Sequence, residues 1–169
     1  MDVFEAVVES WDRQARIIDS LAELVTDKNR KVTPGEERLE LDMQLCHIHG
    51  CRKGWLKQSS PQHLQGLGMA MVQVSEDDWQ PNPDLNIIRE QVKLSAKAVR
   101  DAFTDAVAAG KETLEPYDHP VLFLQHMLWH EGWHAGQIIL ALRNAGEEPT
   151  EEWEEKHIWE LWRGVEVWP

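Results

Sequence analysis

Apolar residues recur at intervals of three and four along four long stretches of the chain, and this spacing places them on one side of an α-helix. The first stretch spans residues 3–25 and includes Trp11, Leu21 and Leu24. No stretch alternates apolar and polar residues as a half-buried strand does. The spacing therefore predicts an all-α protein.

The start of the second helix is predicted from a capping signal. Thr33 stands where an N-cap would lie, Pro34 follows at the first helical position, and Glu36 comes three residues after the cap. From there the pattern continues to about Gln58. The signal predicts a second helix over residues 33–58.

The third and fourth helices also carry start and stop signals. A third helix is predicted over residues 84–109, where Gly110 ends it. Asp118 is the predicted cap of a fourth helix, with Pro120 near its first position, and the pattern runs on to Asn144. Residues 59–83, rich in Gly, Pro and Ser, are predicted to form a long connection with one helical turn.

These four helices predict a four-helix bundle in one domain of residues 1–169, with a short C-terminal helix beginning near Thr150. The C-terminal end is apolar and rich in tryptophan, including Trp159, Trp162 and Trp168. It can pack on its own bundle or on a second copy in a homodimer. We expect packing on its own bundle.

Composition excludes several classes of function. The chain carries 30 acidic and 17 basic residues, a net charge of −13 that repels nucleic acid and anionic lipid. No apolar run approaches the length of a membrane span, and the start has no signal-peptide pattern, so we expect a cytoplasmic protein. Cys46 and Cys51 lie five residues apart on a predicted helix and point in different directions, so they form no disulfide.

Three histidines follow one another at intervals of four in the sequence LQHMLWHEGWHAGQI, residues 124–138. His126, His130 and His134 fall along one stripe of the predicted fourth helix, and two imidazoles one turn apart can bind one metal ion. Packed histidines in a core would give the same pattern. A third ligand from another helix is what distinguishes a metal site.

The second predicted helix offers three candidates for that ligand, in the sequence LCHIHGCRKGWL. His47 and His49 lie on opposite flanks of its apolar stripe, so periodicity does not choose between them. Cys51 lies one turn after His47 and forms a second possible pair with it. A site of three histidines with Cys51 as a buried neighbour and a site that includes the thiol both remain open.

The residues HIHGCRKGWL of the second helix, followed by HMLWHEGWHAGQI in the fourth, resemble the DinB-like superfamily of metal-binding four-helix bundles. The resemblance covers nearly the whole chain, and its sharpest motif is HEGWHAGQI. It implies that His47, His130 and His134 hold the metal and that His126 is a neighbour rather than a ligand. Many members have a histidine where this chain has Trp133, so no role of that residue can be transferred.

The resemblance also implies a function. Members of the superfamily include transferases that use bacillithiol, mycothiol or glutathione, so we expect one divalent transition metal and a metal-dependent transfer of a low-molecular-weight thiol to a small electrophilic substrate. Zinc or nickel is the expected metal, with iron or copper as alternatives. A metal-dependent hydrolase on the same histidines and a non-enzymatic, stress-associated metal-binding protein are the other two interpretations.

Several polar residues near the motif have more than one interpretation. Glu131 follows His130 directly and is turned about 100° from it on a helix, so we do not assign it as a general base. Gln137 can hydrogen-bond across the bundle or simply pack. Four basic residues can bind the carboxylates of a thiol cofactor or lie on solvated helix faces: Arg52, Lys53, Arg89 and Arg143.

Overall fold

Four long helices form the protein, as the apolar spacing predicted. The computed structural model describes residues 2–163. The long helices are α1 (Val3–Leu24), α2 (Leu41–Ser59), α3 (Leu85–Ala108) and α4 (Pro120–Asn144). In the bundle α3 packs on α1 and α2, α1 packs on α4, and α4 packs on α2. The predicted four-helix bundle is therefore confirmed.

The predicted start of α2 at Thr33 is wrong, because the helix begins at Leu41 with Glu40 as its N-cap. The backbone N–H of Leu41 donates to the Val32 carbonyl at 3.0 Å, and that of Asp42 donates to the Arg30 carbonyl at 3.1 Å. Carbonyls of the preceding segment thus satisfy the first helical N–H groups, which a side-chain cap otherwise satisfies.

The ends of the other helices lie close to their predicted positions. Asp84, where the third helix was predicted to begin, is the N-cap of α3, and Gly110 follows its end with a φ of 64°, a conformation that glycine adopts without strain. At the start of α4 the predicted cap, Asp118, is wrong by one residue. His119 is the N-cap, and its side chain accepts a hydrogen bond from the N–H of Val121.

The connection between α2 and α3 contains a 3-10 turn at Pro61–Leu64, as predicted, and a small sheet that was not predicted. Strands β1 (Met71–Gln73) and β2 (Trp79–Pro81) pair antiparallel. Each has three residues, too few to show alternation in the sequence. The connection packs on α2, where the Cys46 thiol donates to the Ala70 carbonyl at 3.3 Å.

The C-terminal segment packs on α1 of its own chain, but Trp159 and Trp162, which were expected to pack, are 49% and 38% exposed. It consists of α5 (Glu151–Glu154), a π-helical turn (Glu155–Trp159) and α6 (Glu160–Arg163). Ile158 is buried in the core, and the Arg13 guanidinium donates to the Trp162 carbonyl at 2.7 Å. The predicted apolar end, with Trp168, lies outside the described residues, and the homodimer stays a prediction.

Two clusters of buried apolar side chains form the core, one at each end of the bundle. The first is centred on Ile18, Leu45 and Ile138, and the second on Trp11, Phe103 and Phe123. None of the helices within residues 2–163 has both the length and the apolar character of a membrane span. The candidate site lies between α2 and α4, the helices that carry its histidines.

Candidate metal centre

Three histidines from two helices converge on one point between α2 and α4. The Nε2 atom of His130 lies 3.3 Å from Nε2 of His47 and 3.2 Å from Nε2 of His134. Each imidazole offers one nitrogen, and all three nitrogens lie within 4.8 Å of one another. This group could hold a metal ion.

The spacing of these nitrogens fits a tetrahedral ion. Zinc–nitrogen bonds of about 2.0–2.1 Å at tetrahedral angles separate neighbouring ligand nitrogens by about 3.3–3.4 Å. The separations from His130 to His47 and to His134, 3.3 and 3.2 Å, agree with that value, and the third pair lies within 4.8 Å. Three imidazoles also suit nickel, copper or iron, so the donor set fits a first-row transition metal without selecting one.

Burial keeps these imidazoles in the neutral form that binds metal. Loss of solvation, together with the smaller effect of the neighbouring histidines, lowers the pKa of His130 and that of His134 to about 4. Burial also lowers the pKa of His47. A neutral imidazole has a free lone pair on one nitrogen, so the ligand form is available at neutral pH without loss of a proton.

A chain of two glutamines orients His134. Its Nδ1 atom is in short hydrogen-bond contact with Oε1 of Gln44, on α2. The side-chain amide of Gln44 in turn donates to Oε1 of Gln137 at 3.0 Å and to the Leu39 carbonyl at 3.3 Å. With the hydrogen of His134 on Nδ1, its Nε2 lone pair faces the centre. Of the two interpretations of Gln137, the structure shows the hydrogen bond across the bundle.

His49, the other candidate on α2, faces α3 instead of α4. Its ring nitrogens lie 3.0 Å from the Gln91 carbonyl oxygen and 3.2 Å from that of Gly68, and the side chain is buried. Both nitrogens are therefore occupied by backbone groups. The choice that periodicity left open is decided by these contacts, since the structure brings His47 and not His49 to α4.

Cys51 lies beside the cluster but outside the group of three. Its sulfur is 3.4 Å from Nε2 of His47, one turn earlier on α2. Burial and the negative charge of Glu131 raise the pKa of this thiol, so it is protonated at neutral pH. Cys46 is buried on another face of the helix, and both cysteines are free, as predicted.

His126 takes part in a separate aromatic cluster. Its Nδ1 atom lies 2.6 Å from the Tyr117 hydroxyl, and its ring packs against the Trp55 ring at 5.1 Å between centroids. Burial raises the pKa of Tyr117 to about 12, so the phenol keeps its proton. His126 is thus held by its neighbours and does not join the group of three.

An ion pair buried between α2 and α4 lies next to the ligand stripe. Nε and Nη2 of Arg52 donate to the two carboxylate oxygens of Glu131 at 2.7 and 2.8 Å. Nη1 donates to the Val92 carbonyl on α3 at 2.6 Å, and the guanidinium lies over the Trp11 ring of α1. Both side chains are about 1% exposed. The pair touches all four helices and holds Glu131 away from the histidines.

The four basic residues named from the sequence make contacts away from the histidine cluster. Arg52 was predicted either to bind a cofactor or to lie on a solvated helix face, and both alternatives are wrong because its side chain is buried in the ion pair. Lys53 donates to the Gly68 carbonyl at 2.7 Å, and Arg89 donates to two carbonyls at the end of α1. Arg143 pairs with Glu148. None of these contacts leaves a cation at the histidine cluster.

Sequence reasoning missed Gln44 and the pair of Arg52 with Glu131. Gln44 lies three residues before His47, on a similar side of α2, and this spacing was the available signal. Arg52 stands between Cys51 and Lys53 in a helix of weak amphipathic character, which gives no indication of a buried charge. Trp133 is 57% exposed and does not belong to the group of three histidines.

Comparison with known proteins agrees with this geometry. A model of the DinB family matches residues 1–158, which include the three clustered histidines and all four long helices. The chain matches no curated protein and no solved structure. Because the family match spans almost the entire chain, this protein belongs to the DinB family.

Proposed function

We propose that this protein binds one divalent transition-metal ion through His47, His130 and His134 and transfers a low-molecular-weight thiol to an electrophilic substrate. The observation that supports the proposal is the convergence of three neutral imidazoles from two helices. Three protein ligands leave at least one position open, as in catalytic rather than structural metal sites. When bound, such an ion lowers the pKa of a thiol or a water at that position and so supplies a nucleophile at neutral pH.

The chain's own residues set the geometry for this reaction. Gln44 fixes the hydrogen on Nδ1 of His134 and directs Nε2 of that ring toward the centre. Arg52 and Glu131 join α2 to α4 beside the cluster, which keeps His47 opposite its two partners. Hydrogen bonds of this kind to metal-binding residues stabilise their orientation and raise metal affinity.

Thiol transfer is favoured over hydrolysis because Glu131, the carboxylate next to the ligand residues in the sequence, is not free. A metal-dependent hydrolase of the H-E-x-x-H type uses a glutamate next to its ligands as general base. Here Glu131 is buried and accepts two hydrogen bonds from Arg52, so it cannot take a proton from water at the histidines. A thiol needs less help, because its proton is lost to solvent more readily than that of water.

In a substitution of this kind the thiol sulfur forms a bond to an electrophilic carbon. The leaving group departs with the electron pair of the bond that breaks, and the thiol proton passes to solvent. No external oxidant or reductant is required.

A comparison of thiols tests the proposal. Protein loaded in turn with zinc or nickel is incubated with bacillithiol, mycothiol or glutathione and a chromogenic aryl halide, beside an ester and amide panel without thiol. We expect turnover that needs both metal and one of the thiols, is lost in His130→Ala, and is kept in the matched variant His49→Ala.

The two other interpretations give different results in the same experiment. Hydrolysis of an ester or amide without thiol would identify a metal-dependent hydrolase. Stoichiometric metal without turnover of any compound would identify a non-enzymatic metal-binding protein.

A further inference from the structure

A cavity of about 440 Å³ opens beside the histidine cluster, against the face of α2 that carries His47 and Cys51. This volume lies within the range of about 300–1,000 Å³ that is typical of small-molecule sites. The rest of its wall is formed mainly by Leu39, Met43, Gly54, Trp55 and Met71.

The described residues that line this cavity carry no charged side chain. Three basic residues of α2 lie next to lining residues along the chain. Arg52 is buried in its pair with Glu131, Lys53 donates to the Gly68 carbonyl, and the exposed Lys57 does not line the cavity. The chain as a whole has a net charge of −13, which lowers the local concentration of anions. An anionic group placed in this cavity would lose part of its hydration and meet no cationic side chain on the wall, which is unfavourable.

Two glycines and one tryptophan of α2 form part of the cavity wall. Gly50 and Gly54 lie one turn apart on α2, and a Cβ at either position would meet no atom within 4 Å. Trp55 is held in place by the rings of Tyr117 and His126, with centroids at 5.9 and 5.1 Å. The wall therefore combines open space for a flat molecule with a fixed aromatic surface.

We infer that this cavity binds the electrophilic substrate and that this substrate is an uncharged, mainly apolar molecule. The inference rests on the proposed function and deepens it, since it assigns a substrate class to the space beside the histidines. Met43 and Met71 of the wall would then contact the acceptor, and His47 would lie between the acceptor and the other two histidines.

Binding of two matched probes to metal-free protein tests the inference. 1-Naphthalenemethanol and 1-naphthoate share one ring system and differ in charge, and their dissociation constants are measured by calorimetry. We expect the neutral alcohol to bind at least tenfold more tightly than the carboxylate. Equal affinity for the two probes, or tighter binding of the carboxylate, would overturn the substrate class.

A substitution in the wall tests the location. Gly54→Leu adds a side chain to the cavity, and we expect it to weaken binding of the alcohol at least tenfold, with Gly50→Leu as a second variant. Gly136→Leu is the matched control, because that glycine is exposed on α4, meets no atom within 4 Å of an added Cβ, and does not line the cavity. It should bind the alcohol as the unchanged protein does.

Unchanged binding in both cavity variants would overturn the location. It would point instead to the groove of about 700 Å³ between α1 and α3, where Val8 and Phe103 offer another apolar surface. Because these measurements use neither metal nor thiol, their failure is distinct from failure of the proposed transfer. His130→Ala should lose metal but still bind the alcohol.

Discussion

Nδ1 of His134 and the side-chain carbonyl of Gln44 are joined by a short hydrogen bond between α4 and α2. The amide of the same glutamine is turned the other way, toward Gln137 and the Leu39 carbonyl. Both ends of the Gln44 amide are therefore used, which fixes its orientation and the hydrogen position on His134.

This contact predicts that Gln44 controls metal affinity without binding the ion. Gln44→Leu should weaken zinc binding about 10- to 100-fold, the usual effect of removing a partner of a metal-binding histidine. Competition with a chromogenic chelator measures the change. Gln14→Leu is the control, since Gln14 is a buried glutamine of α1 whose amide nitrogen has no partner among the described residues. Equal affinities in the two variants would contradict the assigned role.

The two histidines of α2 should differ in metal content. His47→Ala should bind less than about a tenth of the ion that the unchanged protein binds, because the cluster loses one of three ligands, as expected when a ligand rather than its partner is removed. His49→Ala should keep about one ion per chain, since both ring nitrogens of His49 contact carbonyls on another side. Elemental analysis after gel filtration gives the ratio. The reverse result would show that the site is built around the other histidine.

The stability of the metal-free protein should depend on pH in a defined window. The folded-state pKa of His130 and that of His134 are about 4, whereas unfolded histidine titrates near about 6.5. Between these values the unfolded chain binds more protons than the folded one. The free energy of unfolding therefore rises with pH from about 4 to 6.5 and falls as the solution is acidified through that window.

We expect a loss of at least about 1.4 kcal/mol between pH 7 and pH 4.5, the free energy of one pKa unit. Urea denaturation with chelator present measures it. The double variant His130→Gln/His134→Gln should show a flatter profile, because its side chains do not titrate. An unchanged slope in that variant would mean that other groups cause the dependence.

Breaking the buried ion pair should destabilise the fold strongly. Glu131→Gln leaves the charge of Arg52 buried without a carboxylate, and removal of one partner of such a pair costs about 3–5 kcal/mol. The double variant Arg52→Met/Glu131→Leu removes both charges and should recover most of the loss. Urea denaturation at one pH compares the free energies of unfolding of the unchanged protein, the single variant and the double variant. A single variant as stable as the unchanged protein would show that the pair contributes nothing.

Helices that bury mainly apolar side chains could be predicted from the sequence. The contacts of the buried polar side chains could not. Periodicity located α1, α3 and α4 within one or two residues because their buried side chains are mainly apolar. On α2 the buried residues include Asp42, Gln44, His49 and Arg52, so its pattern is weak and its start was misplaced. Proximity across the bundle is a tertiary property, and spacing along one helix does not reveal it.

The histidine stripe on α4 was visible from spacing alone, since both ligand candidates lie on one helix. The choice of His47 as the ligand from α2 required the resemblance to a family, because His47 and His49 lie on opposite flanks of the apolar stripe and periodicity does not distinguish them. The difference between His47 and His49 arises from contacts with α3 and with the connection that follows α2. Those contacts exist only once the bundle has formed.

The buried polar side chains of α2 have a consequence for how the bundle can move. A helix packed by apolar contacts alone can slide by one turn, about 5.4 Å, and find similar neighbours. On α2 such a slide would separate Asp42 from Arg30, Gln44 from His134 and Arg52 from Glu131 in a single step. The helix is therefore locked in one axial register, and the distance between His47 and the α4 histidines is set by bonds that lie above and below it.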